Sequence, residues 1–253
     1  MTGLRSLAFF LGMLFFTPFY SILCLFTVPF SRKARYKFVT LWNRIMLHWL
    51  SLTCGLRYEV CGLENLPAGP AVILANHQSA WETIAFAEIF PPLAYVLKRE
   101  LLRIPFFGWG LALTSPIAID RSEGKKALMQ LLFQGNERIK QGFWVAVYPE
   151  GTRRNPGDLG AFAVGGAWLA AHAGVPVVPV AHNAGHYWAR HAFMRRPGVI
   201  KVCIGPAIIT VGRKPGEINA QARAWIESAL KDMYLSDASR VGEIGKSHIV
   251  GNR

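Results

Sequence analysis

Acid is scarce in this sequence. Against 28 Lys and Arg stand only 15 Asp and Glu, a formal net charge of +13. Such an excess suits an anionic partner: nucleic acid, an acidic membrane surface or a phosphorylated substrate. Charge of either sign is also thin, at 17% of residues against 52% hydrophobic, and the mean hydropathy is positive. An ordinary soluble domain is less apolar, so part of the chain is expected to meet lipid. Apolar and basic excess together favour a membrane surface over nucleic acid, because the basic residues are dispersed and nucleic acid leaves the apolar excess unexplained. Cysteine is limited to Cys24, Cys54, Cys61 and Cys203, with no C-x-x-C spacing. That argues against a disulfide framework and a zinc site, and all four read as small buried hydrophobes. No G-x-S-x-G elbow is present, which weakens a hydrolase. No internal repeat is visible, and 253 residues can bury one full core with additions.

The longest absence of charge lies between Arg5 and Arg32. Residues 7–30 are rich in Leu and Phe and long enough to cross a hydrocarbon core. A signal peptide fits poorly, since the run is too long and no small-residue cleavage site follows. Pro18 allows a kinked or re-entrant helix instead of a clean span. Arg32, Lys33, Arg35, Lys37 and Arg44 flank the run on one side with no acid among them, a bias that holds the rest of the chain in the cytoplasm if the segment spans. Residues 34–53 read as a second helix. Lys37, Thr40, Arg44, His48 and Ser51 share one face, and Phe38, Leu41, Trp42, Ile45, Trp49 and Leu52 cover the rest. The pattern fits a helix lying in a membrane interface, and equally one packed on the protein's own core. Residues 1–55 are therefore read as an N-terminal helical membrane anchor.

Beyond Gly55, strand-like runs at 57–61, 71–75, 94–98, 116–119, 143–148, 177–181 and 200–205 alternate with helical patterns at 81–89, 125–140 and 166–173. This alternation predicts an α/β fold: a single mixed, mostly parallel sheet flanked by helices. A last amphipathic helix is expected over 217–234. The catalytic domain is accordingly placed at 56–235, and residues 236–253 read as a polar, loose tail.

Four stretches carry candidate chemistry. In the first, residues 71–82, an apolar strand ends at Asn76-His77 and a helix opens at Ser79-Ala80-Trp81-Glu82. A histidine between a strand end and a helix start stands where open α/β sheets build their sites. Ser79-x-x-Glu82 is also a capping-box sequence, so Glu82 reads as a helix cap, as the acid orienting His77, or as both. In the second, residues 145–154, a strand runs into Pro149-Glu150-Gly151-Thr152 and two arginines; Gly151 permits a tight turn and Arg153 suits two-pronged phosphate binding. The third, 95–113, sets Lys98, Arg99 and Arg103 beside an aromatic cluster that includes Trp109, read as a core-packing turn or as an apolar channel wall with a basic mouth. In the fourth, 175–182, prolines flank a short strand. His182, His186 and His191 follow it at no recognised metal-ligand spacing and with no acid among them.

Asn76-His77-Gln78-Ser79 with an acid five residues after the histidine, then Lys98, then Pro149-Glu150-Gly151-Thr152-Arg153, then Val175-Pro176-Val177-Val178-Pro179 together resemble the glycerolipid acyltransferases, closest to the bacterial 1-acyl-sn-glycerol-3-phosphate acyltransferases. The resemblance spans residues 57–209. It implies that His77 is a general base oriented by Glu82, and that Glu150, Gly151, Thr152 and Arg153 shape a phosphate site. It also implies that Lys98, Trp109, Val177 and Pro179 border the acyl and acceptor sites. The implied reaction moves a fatty acyl group from acyl-CoA or acyl carrier protein to the sn-2 hydroxyl of lysophosphatidic acid, without cofactor or metal, in phospholipid biosynthesis. Glycerol-3-phosphate or a lyso-ornithine lipid are the alternative acceptors. The implied setting is the cytoplasmic membrane, with membrane lipids as partners and the catalytic domain facing the cytoplasm.

Two positions depart from the family pattern. Glu82 stands where Asp is usual. Ala163, in Phe162-Ala163-Val164-Gly165-Gly166, stands where a basic residue is common, so the chain does without that charge or takes it from Arg154, Lys98 or Arg99. The implied chemistry needs little from the enzyme. A thioester is already activated, so a base on the hydroxyl suffices, with backbone N–H groups after His77 as candidate oxyanion donors.

Overall fold

Seven strands form one sheet in the order β1-β7-β6-β2-β5-β3-β4. They are β1 (Leu56–Cys61), β2 (Val72–Ala75), β3 (Leu93–Lys98), β4 (Ile117–Ile119), β5 (Trp144–Val147), β6 (Val177–His182) and β7 (Gly198–Ile204). Each coincides with an expected strand to within a residue or two. A computed structural model of the protein describes residues 1–120 and 123–247, with side chains described as far as 235. Every strand pairing is parallel except β6–β7, where the chain reverses. The mixed, mostly parallel sheet expected from the alternation is thus present.

Parallel sheets need cover on both faces, and the apolar runs supply it. In β2, Ile73 and Ala75 point into one core while Val72 and Leu74 point into the other. The first core is closed by α2 (Arg32–Cys54) and α3 (Trp81–Ile89) through Met46, Leu47, Leu50, Trp81 and Phe86. The second is closed by α5 (Lys125–Lys140), α6 (Gly165–Ala173) and α7 (Pro215–Ser247). In α5 the buried residues are Ala127, Leu131, Gly135 and Ile139, a strict four-residue stripe.

α1 (Thr2–Leu25) is long and apolar enough to cross a membrane, and only 22% of its most apolar window is buried. It does not stand free. Ser6, Phe9, Tyr20 and Cys24 are buried along one side, with Phe9 edge-on to Trp188 and Ser6 Oγ accepting from the Arg195 N–H at 2.9 Å. Leu4, Leu11, Phe15, Phe19 and Phe26 stay exposed on α1 and the turn after it. α2 combines the two readings of its sequence: Met46, Leu47, Leu50 and Cys54 join the core, while Phe38, Leu41 and Leu52 remain exposed. A short helix, α4 (Phe107–Leu113), lies against α1, with Gly110 beside Ser21.

Two expectations need correction. α7 runs on to Ser247, where a loose tail was expected from 236. Apolar periodicity stops there, but the segment up to 247 lacks proline, so nothing in the backbone forces the helix to end. Residues 248–253 lie outside the described residues. Cys24 and Cys54 are free and buried as expected, but the sulfurs of Cys61 and Cys203 meet at bonding distance. These two are register partners across β1 and β7. Their separation of 142 residues hides the pairing from any reading of spacing.

α6 approaches the sheet closely because Gly166 has no side chain. A Cβ there would lie 2.6 Å from Leu74 Cδ2 and 3.2 Å from Val147 Cγ1. Gly166→Ala should therefore destabilise the fold by about 1–3 kcal/mol through overpacking. A lowered midpoint in thermal unfolding checks this, and an unchanged midpoint would show that α6 can move away at no cost.

Candidate active site

Four strands end on one rim of the sheet, and their following loops carry the candidate residues. His77 follows β2, Tyr148 to Arg153 follow β5, Lys98 ends β3, and the segment from His182 to His191 follows β6. This is the carboxyl edge of the parallel strands, where open α/β folds place their ligands.

The centre of the rim is one carboxylate oxygen. Glu82 sits in the first turn of α3 and is fully buried. Its Oε1 accepts from the Gln78 N–H at 2.9 Å and the Ser79 N–H at 2.8 Å, and lies 2.8 Å from His77 Nδ1. Ser79 Oγ in turn accepts from the Trp81 N–H at 3.1 Å. The turn into α3 and the dyad thus share one carboxylate oxygen, although the helix itself starts one residue later than the capping-box sequence implies, with Ala80 at its N-cap. Since a carboxylate can only accept, Nδ1 carries a proton, and in the neutral ring the lone pair then lies on Nε2. Burial works against ionisation of Glu82, but the hydrogen bonds from His77 and the Ser79 N–H oppose it, and the carboxyl is held below its usual range.

Backbone contacts fix His77 from the other side. Its N–H donates to Glu150 Oε2 at 2.6 Å, and its carbonyl accepts from the Arg154 N–H at 2.7 Å. Its ring stacks on Tyr148, with centroids 4.3 Å apart and planes inclined at 16°. The side chain is 15% exposed, enough to meet a substrate without facing bulk water.

Sequence spacing did not reveal the role of Asn76 and His182. Asn76 Nδ2 donates to the His182 carbonyl at 2.9 Å, and Asn76 Oδ1 accepts from the His182 N–H at 3.0 Å. His182 Nε2 donates to the Asn76 carbonyl at 2.8 Å, while Nδ1 accepts from the Ala184 N–H at 3.4 Å. A neutral imidazole satisfies all of these contacts. Its pKa is lowered from 6.5, chiefly by burial, with Glu82 and the Asn76 carbonyl opposing. His182 therefore stays uncharged, and the Glu82 carboxylate is sustained by its direct bonds to His77 and the backbone. The signal available in the sequence was a polar pair, Asn76 and His182, at the ends of two strands otherwise wholly apolar.

A cavity of about 710 Å³ opens on His77. One part of its wall is apolar and comes from the N-terminal helices: Met13, Tyr20, Cys24, Val39 and Trp42. Another part is cationic or polar: Lys98, Thr152 and Arg153, with Gly151 beside them. Other expected site residues stand elsewhere. Glu150 is buried behind the rim, its two oxygens taken by the N–H groups of His77 and Gly160, so it shapes the loop and presents no charge to a ligand. Val177 and Pro179 are buried within β6, which lies between β2 and β7 in the middle of the sheet. Trp109 is 42% exposed on α4 and does not line the cavity. The N–H groups of His77, Gln78, Ser79 and Trp81 are all engaged, which removes them as oxyanion donors. The Tyr148 hydroxyl is buried with no partner among the described residues, and its pKa is raised well above the phenol range by burial and then by Glu82. It is a neutral donor on the cavity wall. His182, His186 and His191 do not converge, and among the described residues no group of three or more His, Cys, Asp or Glu is placed to hold a metal.

The fold and the rim define an α/β enzyme that works on a substrate part apolar, part anionic. A family model described as Acyltransferase matches residues 57–183, and the chain belongs to that family. It is 50% identical over 210 residues to the 1-acyl-sn-glycerol-3-phosphate acyltransferase of Pseudomonas aeruginosa, covering 81% of each chain. It is 33% identical over 170 residues to the beta 1-acyl-sn-glycerol-3-phosphate acyltransferase of Homo sapiens, covering 66% of this chain and 61% of that one. The crystal structure of the 1-acyl-sn-glycerophosphate acyltransferase from Thermotoga maritima matches with a TM-score of 0.77 over 92% of this chain and 96% of that one. At 22% identity that likeness shows the shared fold.

Because His182 is neutral in the fold and free to protonate when unfolded, unfolding takes up a proton below pH 6.5. Stability should therefore fall as pH drops from 6.5 towards 5.5, with a slope of at most about 1.4 kcal/mol per pH unit. His182→Gln, which keeps a donor for the Asn76 carbonyl, should flatten that slope in denaturant titrations. Equal slopes in the two proteins would contradict a neutral His182.

Proposed function

We propose that the protein transfers a fatty acyl group from an acyl thioester to the sn-2 hydroxyl of 1-acyl-glycerol-3-phosphate, forming phosphatidic acid. The observation that carries this reading is the single cavity in which the free edge of His77 meets an apolar wall and a cationic one. It is supported by the 50% identity to the Pseudomonas enzyme across most of both chains.

In this reading His77 Nε2 takes the proton of the acceptor hydroxyl as its oxygen attacks the thioester carbonyl. The imidazolium that forms is stabilised by the Glu82 carboxylate beside Nδ1. The tetrahedral intermediate then collapses, the thiolate leaves, and His77 returns the proton to sulfur. No enzyme nucleophile is needed. The neutral hydroxyl of Tyr148, left without a partner among the described residues, supplies a donor for the developing oxyanion. Arg153 holds the acceptor phosphate, and the wall from α1 and α2 receives the acyl chain. Either acyl-CoA or acyl carrier protein presents the required thioester, and neither metal nor cofactor enters the steps.

Residues 1–55 serve as the anchor and 56–235 as the catalytic domain. The buried side of α1 packs on the domain while its other side is exposed and apolar. That arrangement supports a helix embedded in the membrane interface over one surrounded by lipid. Membrane lipids then lie beside the cavity wall, and the basic stretch from Arg32 to Arg44 faces anionic headgroups on the cytoplasmic side.

His77→Ala should lower thiol release in the presence of lysophosphatidic acid by about 10²-fold or more while leaving the circular dichroism spectrum unchanged. Near-normal turnover would remove His77 as the base. Glu82→Gln keeps an oxygen for the cap but loses the charge beside the imidazolium, so turnover should fall about 10²-fold or more as well. Full activity in that variant would reduce Glu82 to a helix cap.

A further inference from the structure

The cavity wall carries charge of one sign. Lys98, Arg153 and Arg190 line it, and no Asp or Glu does among the described residues. Arg153 has no hydrogen-bond or ion-pair partner for its guanidinium among the described residues, so its charge is open to a ligand. The other basic residues that sequence reading offered near the rim are differently placed. Arg154 turns into its own loop towards Asp158, 3.8 Å away, and Arg99 reaches Gln130 at 3.5 Å outside the cavity. Lys98 reaches the cavity but lies 3.5 Å from Glu100, which offsets part of its charge.

Arg190 belongs to no motif picked out from the sequence. It arrives from the irregular segment after β6, and its side chain is tied down at two points. Its Nε donates to His191 Nε2 at 2.9 Å, and one terminal nitrogen donates to the Arg153 carbonyl at 3.0 Å. A guanidinium has five N–H groups, so three are left without a partner among the described residues. His191 holds a positive φ of 59°, a conformation that L side chains adopt at a cost and that persists where surrounding contacts impose it. The effect is to set its imidazole against Arg190. The loop thus holds a second arginine on the cavity wall that Arg153 also lines.

We propose that Arg190, oriented by His191 and by the Arg153 carbonyl, is the second guanidinium of a subsite for the acceptor's phosphate monoester. The proposal rests on the acyl-transfer reading above. A phosphate monoester is close to a dianion with three peripheral oxygens, and two planar forks match that charge and geometry better than one. An acceptor without a phosphate gains nothing from Arg190, so the residue would also select among lysolipids.

Initial thiol-release rates of the full-length protein in detergent test this, varying lysophosphatidic acid and acyl-CoA separately. For Arg190→Ala and Arg190→Gln, the KM for lysophosphatidic acid should rise about tenfold or more, as for loss of a charge-assisted contact. kcat should fall by less than KM rises, and the KM for acyl-CoA should stay at its wild-type value. Arg153→Ala should move the same KM. Gln retains a donor for the Arg153 carbonyl, so wild-type kinetics in Arg190→Gln would mean that Arg190 only props the loop, and would overturn the proposal. A rise confined to the acyl-CoA KM would place the charge on the donor's phosphates and overturn it too. Wild-type protein that releases no thiol with lysophosphatidic acid would instead refute the acyl-transfer reading, and this proposal with it.

Discussion

Three hydrogen bonds converge on Oε1 of Glu82, and the site depends on their sharing one atom. Two of them come from the N–H groups of Gln78 and Ser79, in the turn that leads from β2 into α3, so the acid is fixed by backbone that the fold itself places. The third is His77 Nδ1. The carboxylate cannot move without breaking the turn before α3, and His77 cannot turn without losing the carboxylate. Orientation of the imidazole is therefore paid for by secondary structure. The extra methylene of Glu over Asp is absorbed in this geometry: the side chain reaches back over the first turn to Ser79, as a capping glutamate does.

Around this point the sheet brings together elements far apart in sequence. Glu150 joins the β5 loop to the His77 backbone, and Asn76 with His182 joins the end of β2 to the end of β6. Each tie uses a buried polar group that is fully or nearly satisfied, which is how a polar cluster survives in a core without penalty. The N-terminal helices then supply the apolar wall of the cavity. They share one hydrophobic cluster with the sheet, through Phe9, Met46 and Leu50 beside Ile73 and Phe86. The basic excess of the chain and its apolar N-terminus thus meet at one cavity.

Much of this was legible in the sequence. β2, β4 and β5 could be read because buried parallel strands are short unbroken apolar runs, as at residues 71–75 between Pro70 and Asn76, whereas β1 and β7 show the alternation of half-buried strands. The His77–Glu82 pair could be read because both lie within one strand-to-helix turn, where local geometry decides the contact. What could not be read depends on tertiary register. Cys61 and Cys203 are neighbours only because β1 lies beside β7. His182 had no assigned role in the sequence, and gains one only because β6 lies beside β2. Arg190 acquires meaning only when its loop folds over Arg153. Val177 and Pro179 were assigned to the site by motif, yet Val177 opens β6 and Pro179 lies within it, both in the sheet interior and away from the rim.

The central claim is that Glu82 holds His77 with its proton on Nδ1 and its lone pair on Nε2. Nitrogen-15 NMR of histidine-labelled protein in detergent, with the His77 resonances assigned by their loss in a His77→Ala variant, reports that tautomer directly. A protonated Nδ1 and an imine-like Nε2 in wild type, with the Nδ1 signal altered in Glu82→Gln, is the predicted result. A proton on Nε2 of the neutral ring, unaffected by Glu82→Gln, would contradict the account.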